Sequence, residues 1–347
     1  MLYARGVTTV HIVGAGIAGL TLAATVQRPD WEIVLHEQGR RRDEIEVGTA
    51  FGLWPAAMTA LGQIGLADKI RMSGIHASRA SIRDARNRLL TSLPEQDVVM
   101  IGRTALQRVL FAALPDGVQW RNARVTTVQG LAGEVIVGAD GVHSVVRRDR
   151  WGERSSARSR SATIIRGVVD GDLSRGEATE YWGNGQLFGI TPVSENSTNW
   201  FTAFPERRFE DTSEGLLHLG RAARGFPAQV QRTIAAARPE QTLINGVHVS
   251  RGLLSTVRGN AVLFGDAAHA MTPNLGRGAC ESIVDAVRLG VLLNRYRPAE
   301  ALRRYRHQRL ISPQAIRIAS GALMSLALSN GRQAQYRNRV MRAIGRT

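Results

Sequence analysis

Lysine is almost absent from this sequence. Lys69 is the only one, so nearly all of a formal net charge of +16 comes from arginine. An excess of that size raises the question of a nucleic-acid or acidic-membrane partner. No basic run, however, is interleaved with aromatics as base-stacking platforms require, and aromatics amount to only 5% of the chain. The arginines therefore read as a solvated basic surface, and no nucleic-acid partner is expected. Cysteine is equally scarce: Cys280 stands alone, which excludes an internal disulfide framework and fits a reducing, cytoplasmic setting. The N-terminus lacks the basic, apolar and cleavage regions of a signal peptide in their required order. One uncharged stretch, Val10 to Gln27, is long enough to mimic a membrane span. Its glycine spacing breaks it into strand, turn and helix, so no transmembrane segment is expected, and neither is a metal.

At 347 residues with 44% hydrophobic content, the chain can bury a substantial core and form two lobes. A β-branched run, Val7 to Val13, leads into Gly14-Ala15-Gly16-Ile17-Ala18-Gly19. A helix then continues through Leu20, Leu22 and Ala24 until Pro29 stops it. This is a dinucleotide fingerprint in its required context. Gly14 permits the tight turn, Gly16 lets the backbone approach a pyrophosphate, and Gly19 allows close helix–strand packing. A second strand, Trp31 to His36, ends at Glu37, which follows Gly14 by 23 residues. A ribose-binding acid is expected about 20 residues on.

A second constellation lies late in the chain. Ala261 to Phe264 reads as a short buried strand that Gly265 and Asp266 end, with the acid at the carboxyl edge where ligands sit in an open α/β sheet. A loop broken by Pro273, Gly276 and Gly278 precedes a helix running to about Tyr296. Two glycines at a helix mouth leave backbone N–H groups bare for an anion. An acid for hydroxyls followed by such a mouth suits a ligand with a polyol and an acidic ring, as a flavin has.

Between these motifs, Thr104 can cap a helix whose apolar face carries Leu106, Val109, Leu110, Ala113 and Leu114, which puts Arg103 at its mouth. Strands are expected at Gln119 to Val128 and Glu134 to Val137, and Gly138-Ala139-Asp140-Gly141 is a strand end entering a helix. Arg150 to Arg160 is the expected crossing into a second lobe. There Thr163–Val169, Glu177–Trp182, Gln186–Val193 and Asn199–Phe204 read as strands, with a tight turn at Gly183-Asn184-Gly185. Alternation puts Phe188 and Ile190 on one face, and Trp200, Thr202 and Phe204 together on another. It leaves open which parity faces a ligand. Helical patterns cover Ser213 to Ala237, the chain re-enters the first lobe near Val257, and helices are expected at 298–318 and 319–331.

The segment GDAAHAMTPNLGRGACESIVDA resembles the second FAD signature of the single-component (class A) flavoprotein monooxygenases, many of them aromatic hydroxylases. GAGIAG with Glu37, then GADG, precede it in that family's order. Arg277 stands where Gln is common, and Cys280 where Asn is common. The resemblance implies an α/β fold: a Rossmann-like FAD-binding lobe with a parallel sheet (1–155 and 257–347), an inserted, mainly antiparallel β lobe covering the substrate (156–256), and C-terminal helices. It also implies that Gly14, Ala15, Gly16, Ala18, Gly19 and Glu37 hold one end of a non-covalent FAD. Gly48 would begin a segment passing beneath the flavin, Arg103 would contact the cofactor, and Asp140 would orient groups around the pyrophosphate. Asp266, Pro273, Gly276 and Gly278 would hold the ribityl chain and ring. Substrate-pocket candidates are Phe188, Ile190, Trp200, Pro273 and Asn274.

In that family NADH or NADPH reduces the flavin, oxygen adds at its C4a carbon, and the hydroperoxide delivers one oxygen atom to a small molecule. The implied activity is hydroxylation or epoxidation of an aromatic or polyketide-like substrate, and no universal catalytic side chain is implied. Two other readings stand beside it. A flavin-dependent oxidase or desaturase would share every motif, whereas a non-catalytic dinucleotide-binding protein would leave Asp266 and Pro273 without a purpose. Flavin halogenation is disfavoured, since Lys69 lies outside any matching motif.

Overall fold

The structure is a computed structural model that describes residues 7–39, 49–77, 79–94, 96–309 and 311–344. Arg40, Arg41, Arg42 and Gly48 therefore lie outside the described residues. Its first sheet has six strands, in the order β15 (Val257–Arg258), β16 (Ala261–Leu263), β9 (Val135–Gly138), β1 (Thr8–Val13), β2 (Trp31–Glu37) and β8 (Gln119–Asn122). All its pairs are parallel except β15 with β16. Parallel strands need cover on both faces, which is why these read as nearly continuous apolar runs. One face packs under α1 (Ile17–Thr25) and α9 (Gly278–Arg295), flanked by α2 (Pro55–Gln63), α3 (Ala67–Ser73), α4 (Arg103–Ala112) and α10 (Pro298–Gln308). The other packs under α5 (Val145–Trp151) and the short α8 (Gly265–His269). Helices α1 and α9 approach so closely that a Cβ on Gly290 would lie 2.4 Å from Thr25 Cγ2.

A seven-stranded sheet runs β14 (Thr242–Val249), β10 (Arg158–Asp170), β13 (Ser197–Pro205), β12 (Leu187–Ser194), β11 (Ala178–Trp182), β5 (Ala80–Asp84), β6 (Leu89–Leu93). It is antiparallel except for β11 with β5. The two strands at one edge, β5 and β6, come from a hairpin early in the chain, which the sequence did not reveal as strands. One face lies under α6 (Thr212–Ala222) and α7 (Ala228–Ala236), and the other is partly roofed by α11 (Ser312–Ala327) and α12 (Gly331–Ile344). A small antiparallel sheet of β3 (Ala50–Leu53), β7 (Val98–Gly102) and β4 (Ile75–Ala77) joins the two. The α/β class, with one parallel and one largely antiparallel sheet, is as expected.

Local expectations needed four corrections. Helix α4 begins at Arg103 with extended Gly102 in the cap position and no side-chain cap, so Thr104 caps nothing. The strand expected to reach Val128 stops at Asn122, where its ladder to β2 ends. The stretch after β16, expected to run straight into a loop, first forms the short α8, which carries the acid in its first turn. The C-terminal helices are three among the described residues: α10 ends at Gln308, α11 starts at Ser312 with Pro313 in its first turn, and after Leu328–Asn330 Gly331, at φ 52°, starts the last. Among the described residues, no single helix is long and apolar enough to cross a membrane.

Candidate active site

The fingerprint turn is held by backbone geometry. Gly14 sits at φ 101°, where a Cβ would meet the Ala139 carbonyl oxygen at 2.4 Å, and a Cβ on Gly19 would lie 1.9 Å from the Gly14 oxygen. Gly16 faces open space instead, so the turn is closed behind and accessible in front. Ala18 is buried beneath it. The Gly14 N–H donates to the His36 carbonyl at 2.8 Å. Glu37, one residue on, accepts from the Ala15 N–H at 2.7 Å and from the Gly39 N–H at 2.8 Å. The acid therefore fastens the turn itself, and each carboxylate oxygen keeps a lone pair for a hydroxyl.

Next to this turn stands Asp140. Its Oδ2 accepts from the Val145 N–H at 2.7 Å and the Val146 N–H at 3.3 Å, which anchors the start of α5. Its Oδ1 is buried without a partner, and burial raises the carboxyl above its ordinary value. From α5 the fully buried Arg147 donates to the carbonyls of Ser155, Arg251, Ala267 and Ala268 at 2.5–2.9 Å. Burial, reinforced by Arg317, pulls its guanidinium down to about 10. Arg147 holds the end of α8, a role with no signal in the sequence because its acceptors are main-chain oxygens far along the chain.

Asp266 rides on α8. It is exposed by area yet enclosed by protein, as a side chain on the floor of a cleft is. Enclosure raises its carboxyl, against the pull of His269, of Arg103 from α4 and of Arg166 from β10. Helix α8 is gripped from α9 by Asp285, which accepts from His269 Nε2 at 2.6 Å and from the Gly265 N–H at 3.3 Å. Asp285 also accepts from Arg309 Nε at 2.6 Å. Arg309 reaches Glu281 at 2.6 Å, and Glu281 in turn accepts from Arg277 at 3.1 Å. Burial alone would push the Asp285 carboxyl up, but His269 and Arg309 pull it below its ordinary value. This buried chain of charges ties α8 to the mouth of α9.

At that mouth the expectation of two bare glycine N–H groups needs correction. Gly276, at φ 59°, donates its N–H to the Pro273 carbonyl at 2.7 Å, closing a single 3-10 turn over Pro273–Leu275. The first helical bond is from Glu281 N to Arg277 O, so Gly278, Ala279 and Cys280 supply the free N–H groups of the first turn. Pro273 is exposed beside them, and the Asn274 Oδ1 is buried without a partner. Arg277 lies over the Trp54 ring at 5.6 Å. Cys280 is buried, its thiol donating to the Gly52 carbonyl at 3.2 Å and accepting from the Trp54 N–H at 3.4 Å. Burial pushes that thiol up to about 11, so it is a bridge and not a nucleophile.

The seven-stranded sheet divides its side chains by parity. Phe188, Ile190 and Trp200 pack with Phe226, Val230 and Ile234 under α6 and α7. Asn199 points the other way and accepts from the Ala50 N–H at 3.1 Å, which brings that face against the small sheet. On this face one register row crosses four strands: Glu180, Gly189, Phe201 and Arg166. The structure thus gathers the fingerprint, Asp140, Arg103, Asp266 and the α9 mouth with Asn274, and leaves Phe188, Ile190 and Trp200 on the far face. Glu180 and Arg166 went unread, although an acid between Thr179 and two aromatics in a buried strand was a visible signal.

Residues 121–319 match the FAD binding domain family. The chain is 31% identical to the aurachin C monooxygenase/isomerase of Stigmatella aurantiaca, over 82% of this chain and 80% of that one. It is 34% identical to the 2-heptyl-3-hydroxy-4(1H)-quinolone synthase of Pseudomonas aeruginosa, over 87% and 85% respectively. Among solved structures, Klebsiella pneumoniae HpxO complexed with FAD and uric acid superposes with a TM-score of 0.85 at 26% identity, covering 99% of this chain and 94% of that one.

Proposed function

We propose, from the premise that this chain belongs to the family of FAD-dependent aromatic monooxygenases, that it adds one atom of molecular oxygen to a small aromatic or polyketide-like molecule. The product is hydroxylated or epoxidised, and NADH or NADPH is the transient reductant. The chain is an FAD-dependent oxidoreductase. When bound, the flavin supplies reduction by NAD(P)H and activation of oxygen at its C4a carbon.

The described residues fit that cofactor. Gly14, Ala15, Ala18 and Gly19 build the closed side of the turn, Gly16 leaves open backbone for a pyrophosphate, and Glu37 keeps lone pairs for a ribose. Asp140 and Arg103 flank the phosphates, and Asp266 takes the ribityl hydroxyls. The unpartnered Asn274 Oδ1 and the N–H groups of Gly278 to Cys280, beside Pro273 and Gly276, meet the ring. There the helix end favours the reduced, anionic ring. In this reading residues 1–155 and 257–347 hold the cofactor and 156–256 cover the substrate, except that the β5–β6 hairpin and helices α11 and α12 join the covering sheet. The substrate wall is the Glu180–Arg166 row with Pro273 and Asn274, in place of Phe188, Ile190 and Trp200. Cys280, thiol-bound to backbone, leaves the FAD non-covalent.

The observation that carries the reading is Asp266 on the cleft floor, facing arginines from two separate elements. The test is turnover of a panel of hydroxyaromatics with NAD(P)H under isotopically heavy oxygen gas. Label in the product supports the proposal. Release of all consumed oxygen as peroxide, with an unlabelled product, would replace it with the oxidase reading.

A further inference from the structure

The register of the seven-stranded sheet defines a surface that the cofactor does not use. Toward the small sheet lies the row of Thr191, Asn199 and Val168, which Asn199 joins to Ala50. On the opposite side lies the row of Trp182, Leu187, Ala203 and Ile164, packed under Met324 and Ala327 of α11. Glu180, Gly189, Phe201 and Arg166 form the row between. A Cβ on Gly189 would lie 2.1 Å from Phe201 Cζ, so the phenyl ring lies flat across the glycine of the next strand. Only glycine permits that pose, and the ring, still partly exposed, packs beside the Trp182, Leu187 and Met324 cluster. Glu180 and Arg166 stand at the two ends, three strands or roughly 14 Å apart at the backbone.

Glu180 is half-buried by area and surrounded by protein. Its Oε2 accepts from Trp182 Nε1 at 2.8 Å, which leaves Oε1 for a ligand. Burial pushes its carboxyl up to about 7, against that bond. Of the charged groups on the elements packed around it, Asp84 of β5 is paired with Arg88, Arg337 of α12 lies over the Trp182 ring, and Arg166 of β10 stands at the far end of the row. Burial, opposed by the indole bond, sets its titration.

We infer that Glu180 is the proton acceptor of the substrate site, and that the row receives a planar aromatic molecule carrying a hydroxyl or ring N–H directed at it. The inference rests on the oxygenase reading above and names its substrate class. The substrate O–H bond breaks, its electron pair stays on the substrate oxygen, and the proton passes to Glu180 Oε1, giving a carboxylic acid. The resulting oxyanion enriches the ring in electrons, as electrophilic oxygen insertion requires, while Arg166 lies toward the opposite edge of the ring. On product release the proton leaves to water.

Binding without turnover tests this, so its failure is separate from failure of the labelled-oxygen experiment. The FAD-loaded protein is titrated with 1-naphthol and with 1-methoxynaphthalene, which lacks the proton, from about pH 5.5 to about pH 8.5. Naphthol affinity should rise about tenfold, with its inflection near 7, as Glu180 ionises. The methyl ether should show no such rise. Glu180→Gln should retain FAD and lose the rise, and Glu180→Asp should restore it. A flat profile in the wild type, a rise that persists in Glu180→Gln, the same rise for the ether, or no binding of naphthol would each overturn the assignment.

Discussion

Replacing Asp285 by Asn keeps the shape of one buried side chain and removes its charge. The carboxylate accepts from His269, Arg309 and the Gly265 N–H at once, and all three side chains are almost fully buried. An amide has one oxygen to offer, and its N–H₂ would face donors. Arg309 would be left with Glu281 alone. Breaking a buried pair from one side costs about 3–5 kcal/mol, because the remaining charge is uncompensated. We expect that loss in denaturant unfolding of the FAD-loaded protein at neutral pH, with weaker FAD retention because Asp285 grips α8 at both ends. Removing the stranded cation as well, in Asp285→Asn/Arg309→Met, should recover about 0.5–3 kcal/mol relative to additivity. The pH dependence follows from the sign of the shift. A carboxyl held below its ordinary value of 3.8 contributes stability above that value and loses it as pH falls through the folded one. The gap between wild type and Asp285→Asn should therefore be full at neutral pH and close in acid. A variant as stable as wild type at neutral pH, or a gap indifferent to acid, would refute this account of the network.

Three further outcomes are expected. Glu37→Ala should weaken FAD binding by about 1.5–3 kcal/mol, roughly 10- to 150-fold, in a titration of the apoprotein; undiminished affinity would remove Glu37 from the site. Asp266→Ala should loosen the cofactor and also lower turnover at saturating FAD, so full activity on adding excess FAD would leave the carboxylate no part in orienting the ring. After acid precipitation all flavin should stay in the supernatant, since the Cys280 thiol is committed to Gly52 and Trp54; flavin pelleting with the chain would contradict this.

Much of the first lobe was legible because its demands are local. Gly14 needs positive φ and Gly19 has no room for a Cβ, and both requirements act within a few residues of the motif. Arg147 and the Asp285 network escaped because their partners converge from distant stretches. The Thr104 cap failed because extended Gly102 already occupies the cap position. In the second sheet, alternation correctly grouped Phe188 with Ile190 and Trp200 with Phe204. It could not say that the two groups share one face, turned away from the site, since both faces are buried and only the placement of α6 and α7 decides. The β5–β6 hairpin, with Arg83, Asp84, Arg86 and Arg88 around its turn, carries no strand signature of its own and becomes a strand pair by joining β11.

The opposed faces of that sheet also bear on how this protein can change. Substitutions among Phe188, Ile190 and Trp200 disturb the layer under α6 and α7, where deleting a large apolar side chain costs about 2–5 kcal/mol. Phe201 adjoins Trp200 on β13, and Glu180 and Arg166 lie in register with it on β11 and β10, on the face turned away from that layer. A lineage could therefore exchange one aromatic substrate for another by drift at three positions while the scaffold stays fixed. A directed library restricted to that row would sample new chemistry from folded variants.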